Sequence, residues 1–464
     1  MERLYSSREV LEADRRAEEE YLFPPLCLME QAAMSAAAQV YDMSKDGDHV
    51  TIVAGSGNNG ADGLALARLL HTAGQRRVSI FHVPGRMSAG NEAQRRCCEA
   101  LGIGTTDSLD GASLIVDAYL GAGLRGALRK EAEEVIHLMA AAKAPILCLD
   151  VPSGISDEAY NPSIQAQATI VFGPLKRSLY ARGNLAGCGR IVRAPLSYPP
   201  QLFRDDPPVC LLDEDDYRRL SLPGDAYKVS RGRVAIIGGS PDYRGAVRLA
   251  ARAAFHAGAG MVTVFTDPSL VDLVSLDCPA STMVRPFSDL ASAGSFDSIL
   301  VGPGLGQGVE ARRIVGRVCG MKVPRLVVDA DAIRFFEGAQ ADEVVLTPHV
   351  GEYRILAGGG DASSPNDFYA GLMATAGRLG ATIVYKAESV YIATQRSVDI
   401  VIGLKPSLGV AGSGDVLAGI IAALGKGEPP SNGVLLHQAS GAALANQKGF
   451  YSADELIDEV GRRR

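Results

Sequence analysis

Gly409-Val410-Ala411-Gly412-Ser413-Gly414-Asp415-Val416-Leu417-Ala418-Gly419 is the stretch on which the reading of this chain turns. Small residues and an aspartate stand directly before an apolar run. Val416, Leu417, Ile420, Ile421 and Leu424 recur there at helical spacing, which predicts a helix from about Asp415. The N–H groups of Gly412, Ser413 and Gly414 then lie at a helix N-terminus with no side chain to obstruct an anion, and a phosphate fits there. An aspartate beside bound phosphate costs energy unless it has a task. The task that suits Asp415 is taking a proton from a hydroxyl that attacks the terminal phosphate. A glycine turn with a capping aspartate is the other reading of the same residues.

Strands and helices alternate on both sides of this segment. In the second half, apolar strands read at 233–237, 298–301, 325–329, 344–346 and 382–386. In the first half, helices are predicted over 1–20 and 27–41. Strands at 49–54, 78–83, 113–118 and 145–151 then alternate with helices at 61–73, 91–101 and 130–142. Such alternation predicts an α/β fold in three layers, a parallel sheet with helices on both faces. Pro195, Pro199, Pro200, Pro207 and Pro208 interrupt any regular element and mark a linker. The chain is therefore divided into domains at 1–210 and 211–464.

A length of 464 residues calls for more than one core, and 47% hydrophobic with 21% charged residues is ordinary for a globular protein. The formal charge of −7 gives no basic field for a nucleic acid, so none is expected as partner. No uncharged run is long enough for a bilayer, and the charged first 23 residues do not read as a signal peptide, so no membrane association is expected. The 8 cysteines form no C-x-x-C pair and no metal-ligand spacing, a usage that fits a reducing cytoplasm.

In open α/β sheets ligands bind beyond the carboxyl ends of the strands. Four loops of the second half qualify: Gly238-Gly239-Ser240, Gly302-Pro303-Gly304-Leu305-Gly306, Asp329-Ala330-Asp331-Ala332, and Thr347-Pro348-His349 with Gly351-Glu352. With the 409–419 segment they resemble the dehydratase that repairs hydrated NAD(P)H, over about residues 227–456. That resemblance implies a ribokinase-like fold and removal of water from the (S)-hydrate of NADH or NADPH with ADP or ATP and Mg²⁺. It implies hydrate contacts from Ala246, Gly306, His349, Val350, Gly351, Glu352, Tyr353 and Arg354, with Asp415 as base. Nucleotide contacts are implied for Lys386, Ala387, Glu388, Ser389, Val390, Lys405, Gly409, Ala411, Gly412, Ser413 and Gly414. The family usually has threonine where Val390 stands, and Glu388 adds an anion beside the expected nucleotide.

In the first half, Gly55-Ser56-Gly57-Asn58-Asn59-Gly60-Ala61-Asp62-Gly63 joins a strand to a helix. Amide oxygens of the asparagine pair can ligate a cation while backbone N–H groups hold a phosphate. Asp117 and Asp150 end two further strands, where each is also readable as a loop cap. Together these residues resemble the NAD(P)H-hydrate epimerase family over about residues 28–198, with a Rossmann-like fold. The resemblance implies a potassium ion on Asn59, Asp117 and Ser153. It implies hydrate contacts from Asn58, Asn59, Gly60, Ala61, Asp62, from Gly121, Ala122, Gly123, Leu124, Arg125, Gly126, Ala127, and from Asp150. Asp150 is expected either as acid/base at the inverting carbon or as a purely binding group. The two resemblances imply an epimerase fused to a dehydratase, in a homo-oligomer. A small-molecule kinase, or a nucleotide-binding protein with one decayed domain, is the competing reading.

Overall fold

The computed structural model describes residues 1–203, 206–219, 224–291, 295–403, 406–425 and 427–464. The chain forms two compact units. One comprises residues 3–209 with 362–369, the other residues 1–2, 210–361 and 370–464.

The first unit is built on a seven-stranded sheet in the order Gly104–Thr105, Arg77–His82, His49–Ala54, Leu114–Ala118, Ile146–Leu149, Ala168–Phe172, Arg190–Ala194, every pair parallel. The three central strands are buried almost throughout, as strands covered on both faces must be. The helix after the first of them runs over Asn58–Ala73, three residues earlier than the apolar period indicates. Gly57 is its N-cap, so Asn58 and Asn59 lie in its first turn. Small residues on its inner face permit a close approach to the sheet: a Cβ on Gly63 would meet the Ala118 Cβ at 2.5 Å. At the N-terminus the expected single helix is instead a strand at Glu2–Leu4 followed by a helix over Ser7–Tyr21. Ser6 and Glu9 form a reciprocal capping box that fixes where this helix starts.

In the second unit the parallel strands run in the order Met283–Pro286, Met261–Thr266, Arg233–Ile237, Ser298–Val301, Arg325–Val328, Glu343–Leu346, Thr382–Lys386. The sheet continues as an antiparallel meander through Val390–Ala393 and Val398–Val401. Separate apolar clusters cover its two faces, one including Val247, Ala250, Leu417 and Ile421, the other Ile314, Val318, Ile333 and Leu356. The helix that carries Asp415 spans Ser413–Leu424, two residues earlier than predicted. It lies so close to the helix Arg244–His256 that a Cβ on Gly419 would stand 2.4 Å from the Ala250 carbonyl oxygen. Arg325 is buried at the base of the sheet, donating to both Glu343 carboxylate oxygens at 2.8 Å and to the Ile421 carbonyl at 3.2 Å.

Candidate functional site

Each unit places one cluster of functional side chains at its strand ends. In the second unit, Gly412 is the N-cap of the helix Ser413–Leu424, at φ 90 and with no side-chain capping bond. Asp415 is therefore not the cap. It occupies the third helical position, and burial pushes its carboxyl up to about 7, the Asp329 carboxylate adding to this and Lys386 opposing it. That is the range in which a carboxylate serves as a general base at neutral pH.

Lys386 ends the strand Thr382–Lys386, and its Nζ donates to Asp329 Oδ1 at 2.8 Å. The same oxygen accepts from Thr347 Oγ1 at 2.6 Å. A Cβ on Gly414 would lie only 3.4 Å from Lys386 Nζ, so the ammonium stands at the open helix end. Burial lowers the ammonium's affinity for its proton, but Asp329, Glu352 and Asp415 outweigh it and leave Lys386 above its ordinary value. The free N–H groups of the first helical turn and a fixed cation together make an anion cradle. His437 holds the cradle from behind, its Nε2 lying 3.1 Å from both Ser413 Oγ and the Ser413 carbonyl oxygen. Burial lowers its pKa to about 4, so it stays neutral and acts as a brace.

The neighbouring loops interlock. Gly239 N donates to the Pro303 carbonyl at 2.8 Å, and Gly306 N donates to Asp331 Oδ2 at 3.0 Å. The Ser240 hydroxyl, buried and without a hydrogen-bond partner, faces the Gly306 position. His349 caps the helix Val350–Ala357: its Nδ1 accepts from Gly351 N at 2.9 Å, and Glu352 returns a carboxylate to His349 N at 2.8 Å.

The remaining residues expected at this site have local surroundings of their own. The Arg354 guanidinium pairs with Asp361 at 2.7 Å on the surface. Tyr353 stacks edge-on against Tyr385 with ring centroids 4.9 Å apart and reaches Thr375. Val390 is a buried strand residue, Ala387 N bonds to the Ser389 carbonyl, and Ser389 Oγ accepts from Gly403 N. Glu388 is half-buried beside them, and Val350 is half-buried in the first turn of its helix. Ala246 lies in the first turn of the helix Arg244–His256, whose Leu249 packs at Gly412. Gly409 and Ala411 form the exposed approach to the cradle, and Lys405 lies outside the described residues. The sequence placed Asp329 and Thr347 in ligand-facing loops without giving either a specific role, and it did not single out His437. A carboxylate after an apolar strand was the available signal for Asp329; for His437, inside an apolar helix, there was none.

In the first unit, a cavity of about 1240 Å³ is lined by Asn58, Asn59, Asp62, Gly121, Ala122, Gly123, Leu124, Arg125, Ala127 and Asp150, among others. Gly60 and Ala61 are buried behind this wall, and Gly126 lies outside it. No side chain fits at Gly60, where a Cβ would meet the Gly55 carbonyl oxygen at 1.9 Å. Asn91 clamps the loop by donating to the Gly55 and Gly57 carbonyls at 2.8 and 3.0 Å.

Asp150 adopts φ 66, a conformation uncommon for a residue with a side chain. Its carboxylate accepts from the buried Lys176 ammonium and from Phe172 N. Burial raises Asp62 well above the usual carboxylate range, and the Asp150 and Asp14 carboxylates add to it while Lys176 opposes. Asp14, bonded to the Tyr198 hydroxyl, is raised by burial too. Asp14, Lys176 and Tyr198 also line the cavity.

Beneath the cavity, Asp117 is buried and accepts from Ser153 N at 2.8 Å, Ser153 Oγ at 2.6 Å and Tyr119 N at 3.2 Å. Burial raises its pKa and these bonds pull it back. Asn59 Nδ2 donates to the Leu120 carbonyl at 2.9 Å, which leaves its buried Oδ1 without a partner. That orphaned oxygen, the Asp117 carboxylate, Ser153 Oγ and the Leu120 carbonyl form an all-oxygen donor set, which fits a hard cation of low charge.

The anion cradle with its poised carboxylate, on a ribokinase-like sheet, and the separate cavity over an oxygen cluster define a two-unit α/β enzyme that handles phosphate. Residues 234–462 match the family described as NAD(P)H-hydrate dehydratase, and residues 26–178 that described as YjeF-related protein N-terminus. The bifunctional NAD(P)H-hydrate repair enzyme Nnr of Pyrobaculum aerophilum is 31% identical over 498 residues, covering 98% of this chain and 97% of its own. The protein of the same name from Coxiella burnetii is 30% identical over 493 residues, covering 99% and 96%. Among solved structures, a ribokinase-like superfamily protein from Enterococcus faecalis is 29% identical with a TM-score of 0.50, covering 55% of this chain and 94% of its own. The chain belongs to the family of bifunctional NAD(P)H-hydrate repair enzymes.

Proposed function

We infer that this protein repairs hydrated NADH and NADPH: it interconverts the (R)- and (S)-hydrates and dehydrates the (S) form at the expense of ADP or ATP. The observation that carries the dehydratase reading is Asp415, raised to about 7 and set beside Lys386 at an open helix N-terminus. Hydroxide is a poor leaving group from the ring carbon, so the hydroxyl is first phosphorylated. Asp415 accepts the hydroxyl proton as the oxygen attacks the terminal phosphorus and the bond to the departing nucleotide breaks. The ring-nitrogen lone pair then expels phosphate, the neighbouring carbon loses a proton, and the ring double bond is restored. Lys386 and the N–H groups of Ser413 and Gly414 hold the phosphates in line. Magnesium, bound with the nucleotide, would neutralise phosphate charge, and Asp329 would supply the carboxylate that such a site ordinarily needs.

For the epimerase, we assign the 1240 Å³ cavity to the hydrate and Asp150 to the carbon that inverts, with Lys176 keeping the Asp150 carboxylate oriented. Potassium on Asn59, Asp117 and Ser153 would fix the loop carrying Leu120 and Gly121 against the ligand. A homo-oligomer remains part of this reading.

Incubating the pure protein with an (R,S)-hydrate mixture and ADP or ATP tests it. Complete recovery of reduced-nicotinamide absorbance with an equal amount of free phosphate is the expected result. A stable phosphoester in place of free phosphate would instead establish a small-molecule kinase.

A further inference from the structure

A second cavity in the second unit, of about 350 Å³, has no place in the reaction above. It lies between the turn after the helix Arg244–His256 and the helix Ala453–Arg463. Arg219, Arg231 and Arg464 line it, with His256. Gly258, at φ 107, brings two of these arginines together. Its carbonyl accepts from Arg231 Nε at 3.2 Å, while a Cβ at this position would stand 1.7 Å from Arg464 Nη1. The third, Arg219, donates from Nε to the Arg464 carbonyl at 2.7 Å.

Three guanidiniums around one small cavity repel one another unless an anion joins them. No Asp or Glu side chain lines this cavity among the described residues. Arg464 Nε is buried without a hydrogen-bond partner, and so is the Tyr217 hydroxyl, which acts electrostatically on both Arg464 and Arg219. Burial, then the Arg231 guanidinium, lowers Arg464 below its ordinary value, with Tyr217 alone opposing. The recorded bonds of Arg219 and Arg231 use their Nε atoms.

We propose that this cavity binds a phosphate-class oxyanion, either free phosphate or the phosphate end of a phosphomonoester. A carboxylate offers one edge and satisfies one guanidinium fork. A tetrahedral dianion accepts from several forks at once, and converging arginines select for it. The Gly258 conformation, uncommon for residues with a side chain, holds Arg231 and Arg464 close in advance of any ligand.

Calorimetric titration of the full chain at constant ionic strength tests this, with inorganic phosphate, ribose 5-phosphate, acetate and chloride as probes. Phosphate or ribose 5-phosphate should bind, and whichever binds more tightly identifies the source; acetate and chloride should not. Arg231→Gln should weaken binding about tenfold or more, as expected for loss of a charge-assisted fork. Arg219→Gln, at an exposed position where folding is not at stake, should do the same. Phosphate held at the Gly412–Gly414 cradle would be unaffected by either substitution. A wild-type isotherm in both variants, equal binding of chloride, or no binding of either phosphate probe would overturn the proposal.

Discussion

Asp415 joins function to stability in a single carboxyl group. Only its ionised form accepts a proton, so kcat/KM for dehydration should climb as pH rises and level off above about 7. Asp329→Asn removes the neighbouring negative charge that helps hold Asp415 up, and the ascending limb of that profile should move to lower pH. An unmoved limb would show that Asp329 does not act on the base. The same raised pKa has a stability consequence. The folded state holds the Asp415 proton to higher pH than the unfolded chain does. Its favourable contribution is complete below the unfolded carboxylate value near 4 and is lost as pH rises through about 7. Asp415→Asn should therefore abolish dehydration yet raise the melting temperature at pH 8, the gain shrinking towards pH 4. An equal shift at both pH values would argue against a burial penalty on this group. In the other unit, Asp117→Ala should remove the potassium response of epimerisation and leave dehydration unchanged; a preserved potassium response would refute the cation assignment.

Among the elements, the strand-to-helix turns carry the sites, and their small residues set the tolerances. Gly60 lies where the helix Asn58–Ala73 meets its own incoming loop, with the Gly55 carbonyl 1.9 Å from any added Cβ. Gly60→Ala should lower stability by about 1–3 kcal/mol through overpacking and displace Asn59, so that thermal stability and epimerase rate fall together. Wild-type values of both would mean that the turn can relax. These turns were legible from the glycine runs, and the strands from their apolar segments. The helix starts were less so. Asn58 and Asn59 carry no apolar signal, so a reading by hydrophobic period begins the helix at 61 although the backbone is helical from Asn58. In the same way the Ser6–Glu9 capping box, rather than the charged pattern of 1–20, decides where the first helix starts. Arg354 and Tyr353 show the converse: a motif pointed to them, but nothing in it signalled the ion pair with Asp361 or the stack on Tyr385.

Over the whole molecule, each cluster of reactive groups lies within one of the two units. The (S)-hydrate is a diffusible product of one chemistry and the substrate of the other. A mixture of the Asp415→Asn and Asp117→Ala proteins should therefore consume an (R,S)-hydrate pool completely in the presence of potassium and nucleotide, although neither variant does so efficiently alone. Accumulation of the (R)-hydrate in the mixture would show that both activities must reside in one chain. Among the described residues no helix is long and apolar enough to cross a membrane.

Local order, and what local order signals, came from the sequence alone: alternating strands and helices, a glycine-rich helix entry before Asp415, and carboxylates after apolar strands. These depend on neighbours in the chain, through periodicity, backbone freedom and capping. The tertiary structure alone decided which of those groups share an environment. Asp329, Lys386 and Asp415 are separated by 57 and 29 residues, yet they set one another's charge across the ends of their elements. His437 came to brace Ser413 because two helices pack together, and Asn59 was left with an unsatisfied oxygen because its amide nitrogen was taken by Leu120. Burial and electrostatic coupling act through space, and so a carboxylate near neutrality could be located in the sequence but tuned only by the fold.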